Sequence, residues 1–571
     1  MKKRIKNKSA WRAALGYIGK YKLLLVLSLL LSACSVAATL YIPILVGGAI
    51  DDMLSMGAQG IVGRLAAAAV LAAAGGLVTW LAGIINNRIC YNVVRNARNE
   101  AFEHLQRVPL SYIDSRERGD IISRITSDAE QLGDGLLLGF TQLFTGVLTV
   151  AGTLGFMLAL EPVIAAAVAV LTPVSLLIAR FIARRTHSLF IGQSEARAAQ
   201  TAFVEEMLTN RKVVAAFSQQ EPACERFGEL NEQVEKTSRT AAFFSSLVNP
   251  STRFVNAVVY AAVTLIGALA AIRGQMTVGT LSCLLSYANQ YAKPFNEISA
   301  VLTELQNALA CAERLFELQN APLQSADGPL ELNGPARVSM DNVCFSYVPS
   351  QPLIRDFSLE VPCGSRVAIV GPTGCGKTTL INLLMRFYDP QSGSISMNGI
   401  NATEISRASL RGNIGMVLQD TWLCSGTVRE NIALGRPDAA DEEIEAAARF
   451  SHAHEFIVKL PKGYDTVISD DDSISQGQKQ LLCISRVALA LPPMLILDEA
   501  TSSIDTRTEM KIQDAFARMM QGRTCFIVAH RLSTIRNADI ILVMKDGNIV
   551  EQGTHAELME RRGFYYQLNN A

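Results

Sequence analysis

The chain has 571 residues, which is too long for one compact domain and suggests two or three. Apolar residues make up 49% of it and charged residues only 18%, and the mean hydropathy of +0.23 lies on the membrane side of the average for globular proteins. The 52 basic residues equal the 52 acidic ones in number, so the composition speaks against a nucleic acid as partner.

The N-terminal half contains stretches that are long enough to cross a membrane. Residues 1–8 carry several basic side chains and no acidic one, which favours a cytoplasmic N-terminus. Six uncharged stretches follow, each close to the about 20 residues that a spanning helix needs: Leu23–Ile50, Leu65–Asn87, Gly135–Leu160, Pro162–Ala179, Phe254–Ile272 and Gln275–Ala292. We therefore expect a multi-pass protein of the cell membrane (plasma or inner membrane), with its N-terminus and its C-terminal half in the cytoplasm.

The charged segments between spans two and three and between spans four and five are too long to be simple loops. They cover Arg88–Asp134 and Arg180–Arg253, and their apolar residues recur at helical spacing. We expect helices that continue the spans into the cytosol and meet in a short turn, near residues 109–119 in the first segment and 210–221 in the second. A separate soluble insertion is the alternative, but neither segment shows strand alternation or enough apolar residues for a core.

Residues 321–335 are rich in Pro, Gly and polar side chains and are typical of a linker. They separate a predicted transmembrane domain, residues 1–320, from residues 336–571, where strands alternate with helices. The predicted fold class is thus a membrane α-helical domain, with six transmembrane helices and long cytosolic extensions, followed by an α/β domain.

One octapeptide in the α/β domain fits G-x-x-x-x-G-K-[ST], the loop whose backbone N–H groups cradle nucleotide phosphates. It consists of Gly371, Pro372, Thr373, Gly374, Cys375, Gly376, Lys377 and Thr378. The apolar run Arg366–Val370 precedes it and a helical pattern follows, which is the context that the motif requires. We expect the loop and Thr379 to bind ATP, with Lys377 at the β- and γ-phosphates and the Thr378 hydroxyl on Mg²⁺. The α/β domain is therefore predicted to be a P-loop ATPase.

A second stretch of the same domain supplies carboxylates. Met494–Glu499 is an apolar run that ends in two acidic residues. Asp498 suits a role at Mg²⁺, and Glu499 suits the general base that activates water. Many strands end in acidic residues, so the run has weight only because it follows the phosphate loop in an α/β domain.

A third group of motifs carries a family resemblance. Ser473–Gln480 (SISQGQKQ) resembles the signature loop of ATP-binding cassette (ABC) proteins, usually LSGGQ, and lies between phosphate loop and acidic strand as it does in that family. Further residues resemble the family's Q-loop glutamine, switch histidine, D-loop aspartate and adenine-stacking aromatic; they are Gln419, His530, Asp505 and Tyr347. With the six spans, the resemblance covers essentially the whole chain and points to an exporter-type half-transporter.

The resemblance implies a role for each of these residues. The implied catalytic residues are Glu499, His530 and Gln419. The implied Mg²⁺ ligands are Thr378, Gln419 and Asp498, and Tyr347 joins the phosphate loop in binding ATP. The signature residues implied to contact the ATP of the opposite subunit are Ser475, Gln476, Gly477 and Gln478.

The chain departs from the family pattern in two places. Gln476 replaces the first glycine of the signature pair, and Ser469–Asp472 stands where the family often has GERG. In the family, the signature of one subunit closes over the ATP of the other, so Gln476 affects the partner's site, while Glu499 keeps this chain's own site competent. We therefore favour a heterodimer with a second half-transporter, and a homodimer is the alternative.

The function that the resemblance implies is ATP-driven export of amphipathic compounds by alternating access. A lipid flippase, a peptide exporter and a metal-chelate importer of the same fold are the alternatives within transport. A soluble cassette ATPase acting on DNA or ribosomes is disfavoured by the spans, and a regulator that binds ATP without turnover is disfavoured by intact Lys377, Asp498 and Glu499. Arg253, Asn256 and Lys293 border the spans and fit either a substrate pathway or the membrane interface.

Overall fold

The computed structural model describes residues 16–17, 19–55, 58–418, 421–468, 474–498, 504–528 and 535–570. The chain divides into two compact units. The helical unit comprises Met1–Gln106 and Glu117–Ala321, and the α/β unit comprises Arg107–Arg116 and Pro322–Ala571. The first cytosolic turn that the sequence predicts, near residues 109–119, thus lies largely within the α/β unit.

The helical unit consists of helices joined by short turns. Its helices are Lys22–Leu54, Ala58–Leu105, Arg118–Ile125, Ser127–Leu138, Phe144–Leu160, Pro162–Thr209, Arg211–Ala216, Gln220–Ser246, Val248–Ile272 and Val278–Gln319. A π-helical turn, Gly139–Leu143, links two of them. The helix that begins at Ala58 has 48 residues, or roughly 70 Å at 1.5 Å per residue. Since a bilayer core is about 30 Å thick, this helix extends far beyond one, as the charged sequence between the predicted spans indicates.

Four helical stretches in the described part of the chain are long and apolar enough to cross a membrane: Lys22–Leu54, Gly60–Leu105, Arg118–Leu160 and Gln220–Ile272. They contain predicted spans one, two, three and five. The predicted fourth span begins in a shorter apolar stretch, Pro162–Leu171, and the predicted sixth lies in the helix Val278–Gln319. The number of six spans therefore stays a prediction.

Close packing joins the first and the last long helix of the helical unit. The buried hydroxyl of Tyr287 donates to the carbonyl oxygen of Leu40 at 2.6 Å. Nearer the start of the last helix, a Cβ at Gly47 would lie 2.6 Å from the carbonyl oxygen of Gly279, so only glycine allows this approach. Asp51 then accepts from the Gly279 N–H at 2.8 Å, which satisfies a helix-start donor that would otherwise lack a partner.

The α/β unit contains two main sheets and a small one. Its strands are β1 Val338–Phe345, β2 Ile354–Val361, β3 Arg366–Val370, β4 Ser392–Met397, β5 Ile400–Asn401, β6 Ile414–Val417, β7 Gly426–Thr427, β8 Val467–Ile468, β9 Met494–Asp498, β10 Thr524–Val528, β11 Ile540–Lys545 and β12 Asn548–Gly553. Its helices are Leu110–Asp114, Lys377–Leu384, Arg407–Gly412, Val428–Ala433, Asp441–Phe450, His454–Ile457, Gln476–Ala490, Thr506–Met519, His555–Arg561 and Phe564–Asn570.

The six-stranded sheet has the order β12-β11-β3-β10-β9-β6. Its strands are parallel except β12, which pairs antiparallel with β11. Alternate residues of β3 enter different cores: Val367 and Ile369 on one face, Ala368 and Val370 on the other. Both faces are covered, which explains why these strands are apolar throughout. The antiparallel sheet β2-β1-β4-β5 packs on the first of these faces.

The segment that the sequence identifies as a linker is attached to the α/β unit. Leu330 forms a parallel bridge with Ile405, and its N–H donates to the carbonyl oxygen of Glu404 at 3.0 Å. Arg407, 9% exposed, donates to the carboxylate of Asp327 at 2.6 Å. Residues 322–335 therefore follow the surface of the α/β unit along a defined path.

Candidate nucleotide-binding site

The predicted phosphate loop lies between β3 and the helix Lys377–Leu384, as the sequence indicates. Gly376 precedes the helix with a backbone φ of +104°, a conformation that only glycine adopts readily. A Cβ at Gly371 would lie 2.2 Å from the carbonyl oxygen of Met544. Two glycines of the motif are therefore required by this geometry.

Inside the loop, the Lys377 amine donates to the carbonyl oxygens of Gly371 at 2.8 Å and Pro372 at 3.0 Å. Cys375 is buried, so it packs inside the loop and is not an exposed thiol. Thr378 is exposed and Thr379 is buried. The lysine amine and the Thr378 side chain are thus placed at the start of a helix, where the backbone attracts phosphate groups.

The acidic run forms β9, all five residues of which are buried. β9 pairs in parallel with β10, which pairs in parallel with β3. Carboxyl ends of parallel strands open on one edge of a sheet, so Asp498, 9% exposed, ends its strand on the same edge as the phosphate loop.

All three predicted catalytic residues lie outside the described residues: Gln419, Glu499 and His530. In sequence they follow β6, β9 and β10, each within two residues of the strand's end. These strands neighbour one another, in the order β10-β9-β6. Three motifs that are far apart in sequence therefore follow strands that are neighbours in the sheet.

Tyr347, the predicted adenine contact, follows β1 and is 47% exposed. Its hydroxyl accepts from the Asn382 side-chain amide at 2.9 Å, and Asn382 lies in the helix that follows the phosphate loop. Tyr347 also packs edge-to-face against Tyr388, with ring centroids 5.1 Å apart. The sequence offered no signal for Tyr388, which lies between recognisable motifs.

The signature residues form the start of the helix Gln476–Ala490. Ser475 caps this helix in a capping box with Gln478: the Ser475 N–H donates to Gln478 Oε1 at 2.9 Å, and the Gln478 N–H donates to Ser475 Oγ at 3.3 Å. Gln476 is the first helical residue and is exposed. An exposed helix start offers N–H groups to an anion, which is the chemistry the resemblance implies here.

The D-loop residue Asp505 caps the next helix, Thr506–Met519. Its carboxylate accepts from the Thr508 N–H at 3.0 Å, and hydrogen bonds from the Thr508 backbone and side chain hold the pKa of Asp505 below its ordinary value. A Cβ at Gly477 would lie 2.6 Å from Thr508 Cγ2. The signature helix and the D-loop helix are therefore in close contact, and Gly477 is what permits it.

Comparisons with known proteins agree with this architecture. The family model of the ABC transporter transmembrane region matches residues 25–295, and that of the ABC transporter matches residues 354–502. The chain is 45% identical over 509 residues, 89% of this chain and 81% of the relative, to the fatty acid ABC transporter ATP-binding/permease protein of Mycobacterium bovis. It is 34% identical over 496 residues, 86% of this chain and 82% of the relative, to the ATP-dependent lipid A-core flippase of Syntrophus aciditrophicus.

Among solved structures, a bacterial Atm1-family ABC exporter with ATP bound is similar to this chain with a TM-score of 0.79 and 28% identity, over 96% of this chain and 98% of that one. The predicted fold class, a helical transmembrane domain followed by an α/β ATPase domain, is confirmed by these matches. The chain belongs to the ABC transporters, as a membrane-embedded half-transporter of the exporter type that couples ATP hydrolysis to export.

Proposed function

We propose that this half-transporter exports anionic amphiphiles as part of a dimer. The observation that carries the substrate class is the polar face of the helix Val278–Gln319. Ser282, Ser286, Asn289 and Lys293 recur at a spacing of three or four residues, so they share one face of the helix. Asn289 and Lys293 are both exposed.

The position of Lys293 along its helix bears on the role of its charge. It lies fifteen residues into a helix that begins at Val278, roughly 22 Å along the axis. Lys293 directly follows the predicted sixth span, Gln275–Ala292. A lysine that faces lipid at the centre of a span would cost about 2.5–3.5 kcal/mol, so a position at the end of the span, beside a watery pathway, is favoured. Arg253, exposed on the neighbouring helix Val248–Ile272, adds a second cation. Two cations at the ends of predicted spans five and six suit a substrate with an anionic head and an apolar tail.

The names of two relatives support the same class. Fatty acid transport and lipid A-core flipping are the activities named for the relatives at 45% and 34% identity, and both names describe amphiphiles. A lipid flippase is therefore the second candidate, which differs from the first in that the substrate stays in the membrane. Peptide export and metal-chelate import have no such observation in their favour.

Stimulated ATPase activity tests the substrate class. The protein and its dimer partner, reconstituted in lipid nanodiscs, are titrated with a long-chain fatty acid and with the alcohol of the same chain length. We expect stimulation by the acid only, and loss of that preference in Lys293→Met. Arg273→Met, at the far end of the helix Val248–Ile272, is the matched control and should keep the preference. Equal stimulation by acid and alcohol in the wild type would exclude a role for the anionic head.

The roles of the ATP-site residues follow from their chemistry. Thr378 and Asp498 offer oxygen ligands at one edge of the sheet, which is the ligand type that Mg²⁺ prefers. Mg²⁺ bound there would neutralise phosphate charge, and few protein ligands are needed because the phosphates supply the rest. Lys377 binds the phosphates, and Glu499 orients and deprotonates the attacking water. Gln419 and His530 detect the γ-phosphate and so link its presence to the conformation of the rest of the domain.

Energy coupling in this proposal is a population shift. The exporter fold with one transmembrane and one ATPase domain per chain implies that two chains act together. ATP held between the two ATPase domains favours their closed arrangement, and removal of the γ-phosphate releases it. We favour a second, different half-transporter as the partner, because Gln476 replaces a signature glycine while Asp498 and Glu499 are retained.

A further inference from the structure

We propose that Tyr388 connects the base-binding side of the ATP site to the short helix Leu110–Asp114, so that this helix responds to the base of the nucleotide as well as to its phosphates. Tyr388 is a positioning residue in this scheme, because it does not touch the nucleotide and passes the position of the Tyr347 ring to the helix. The inference rests on the proposed contact of Tyr347 with adenine. All residues involved belong to the α/β unit.

Three aromatic rings form the first part of the connection. Phe345, Tyr347 and Tyr388 lie with ring centroids 5.0 to 5.5 Å apart, and each pair meets at a steep angle of 66° to 89°. Such edge-to-face pairs hold a defined geometry. Phe345 is only 5% exposed and provides a fixed base for the cluster. A change in the position of the Tyr347 ring is therefore passed to Tyr388.

The second part is the hydrogen bond from the Tyr388 hydroxyl to the Asp114 carboxylate. Burial and the Asp114 carboxylate raise the pKa of Tyr388 above its ordinary value, so the hydroxyl keeps its proton and donates at any physiological pH. Asp114 is the last residue of the short helix. The hydrogen bond thus attaches the aromatic cluster to one end of that helix.

The other end of the same segment is held by the linker. The Gln324 N–H donates to the carbonyl oxygen of Arg107 at 3.0 Å, and its side-chain amide donates to that of Val108 at 2.9 Å. Ser325 is in turn bound by Arg407, whose guanidinium donates to the Ser325 carbonyl oxygen at 2.8 Å. The segment 107–114 is therefore held at its start by the linker and at its end by Tyr388, so that a shift of Tyr388 moves its end relative to its start.

A cavity beside the short helix leaves room for the helix and the Tyr388 ring to move. A cavity of about 270 Å³ is lined by residues of the segment, of the linker and of the aromatic cluster, among them Pro109, Ser111, Tyr347, Tyr388 and Arg407. Well-packed protein has few voids larger than a water molecule and resists displacement. Tyr112 of this helix is buried, whereas Pro109 and Ser111 border the cavity that Tyr388 also lines. Tyr388 packs against the buried core of this unit and also borders the cavity, which leaves room for its ring to shift.

A movement of the segment would act on the two helices to which the chain connects it. The segment joins the long helix that ends at Leu105 to the helix that begins at Arg118, and both lead into stretches apolar enough to cross a membrane. Bases that stack differently on Tyr347 should therefore place this segment differently, even when their phosphates bind alike.

Hydrogen exchange tests this in the full-length dimer in nanodiscs. Exchange of the peptide covering 107–116 is measured with saturating non-hydrolysable ATP analogue and with the corresponding UTP analogue, whose single-ring base stacks less. We expect slower exchange with the ATP analogue in the wild type, and no difference between the analogues in Tyr388→Phe, which keeps the ring and loses the hydroxyl. Tyr566→Phe, in the helix Phe564–Asn570, is the matched control and should behave as the wild type.

Two further variants separate the possible failures. Asp114→Ala should abolish the difference between analogues as Tyr388→Phe does, and the double variant should add nothing. A difference that persists in Tyr388→Phe, or that is absent from the wild type, would overturn the connection. Tyr347→Ala should weaken ATP binding; unchanged affinity would instead overturn the proposed adenine contact, on which the inference rests.

Discussion

The side-chain amide nitrogen of Gln476 donates to the hydroxyl oxygen of Thr421 at 3.0 Å. Gln476 begins the signature helix, and Thr421 lies 55 residues earlier, two positions after the Q-loop glutamine. The residue that replaces a signature glycine therefore has a partner within its own chain. Its side chain adds bulk at the helix start and also ties that start to the segment following Gln419.

Gln476→Gly distinguishes the two possible assemblies. In a heterodimer the signature of this chain covers the partner's weaker site, so restoring glycine should change ATP turnover only a few-fold. In a homodimer Gln476 faces both hydrolytic sites, and a Cβ-bearing side chain limits how closely the N–H groups approach the γ-phosphate, so turnover should change substantially. Phosphate release by the purified dimer measures this.

Thr421→Val is the control for Gln476→Gly, because it removes the hydrogen bond and leaves the glutamine in place. If the bulk of the Gln476 side chain, and not its hydrogen bond to Thr421, causes the effect on turnover, Thr421→Val should leave turnover unchanged. Expressing the chain alone gives an independent check: a stable, ATP-hydrolysing homodimer would contradict the heterodimer proposal.

Glu499→Gln should bind ATP normally and lose most turnover, since the amide cannot deprotonate the attacking water. Loss of a general base costs on the order of 10²–10⁴ in rate. Phosphate release and nucleotide titration together check this, with Glu442→Gln, an exposed residue of the helix Asp441–Phe450, as control. Turnover near that of the wild type would remove Glu499 from the mechanism.

Lys377→Ala should act earlier and weaken ATP binding itself. The amine that donates to the Gly371 and Pro372 carbonyl oxygens makes charge-assisted contacts with phosphate once nucleotide is bound. A titration with fluorescent nucleotide measures the loss of affinity, and Lys459→Ala, exposed and distant in sequence, should show none. Undiminished affinity in Lys377→Ala would mean that the loop does not bind phosphate.

Gly477→Ala should destabilise the contact between the signature and D-loop helices. The added Cβ would lie 2.6 Å from Thr508 Cγ2 and 2.9 Å from Ile504 Cγ2, and overpacking of this kind costs about 1–3 kcal/mol. We expect a lower melting temperature and reduced turnover. Thr508→Ser removes the nearer methyl group and keeps the hydroxyl, so it should restore part of both; no recovery in the double variant would place the defect elsewhere.

Asp389 should contribute a stability that is lost only in acid. Burial by itself raises the pKa of its carboxyl, but the hydrogen bond from Ser325 and the guanidinium groups of Arg386 and Arg407 outweigh burial and hold the pKa below its ordinary value. A carboxyl with a lowered pKa stabilises the fold at every pH above its unfolded value of about 3.9 and loses that effect as pH falls through the native value.

The melting temperature of Asp389→Asn, compared with wild type across pH, tests this. The variant should melt lower by a constant amount from pH 5 to pH 8, and the two proteins should converge below about pH 4. The effect should be modest, because the carboxylate is partly exposed. A difference between the proteins that varies around neutral pH would point to another group.

Local patterns in the sequence determine the phosphate loop and its flanks. Gly371, Gly376 and Lys377 act together because they are neighbours in the chain, and the strand and helix on either side follow from the apolar pattern within a few residues of them. The same holds for the fully buried β9 and for the long helices of the helical unit. Each of these features depends on residues close in sequence, so periodicity and spacing are sufficient to predict it.

Contacts between distant segments were decided only by the tertiary structure. The hydrogen bond from Tyr388 to Asp114 joins residues 274 positions apart, and neither residue belongs to a recognisable motif. The order β3-β10-β9-β6, which aligns the strand ends that precede Gln419, Glu499 and His530, likewise cannot be read from strand patterns. Apolar periodicity states that a segment is buried but not against which neighbour, because many partners offer similar apolar surface; the choice among them is made by the packing of the whole chain.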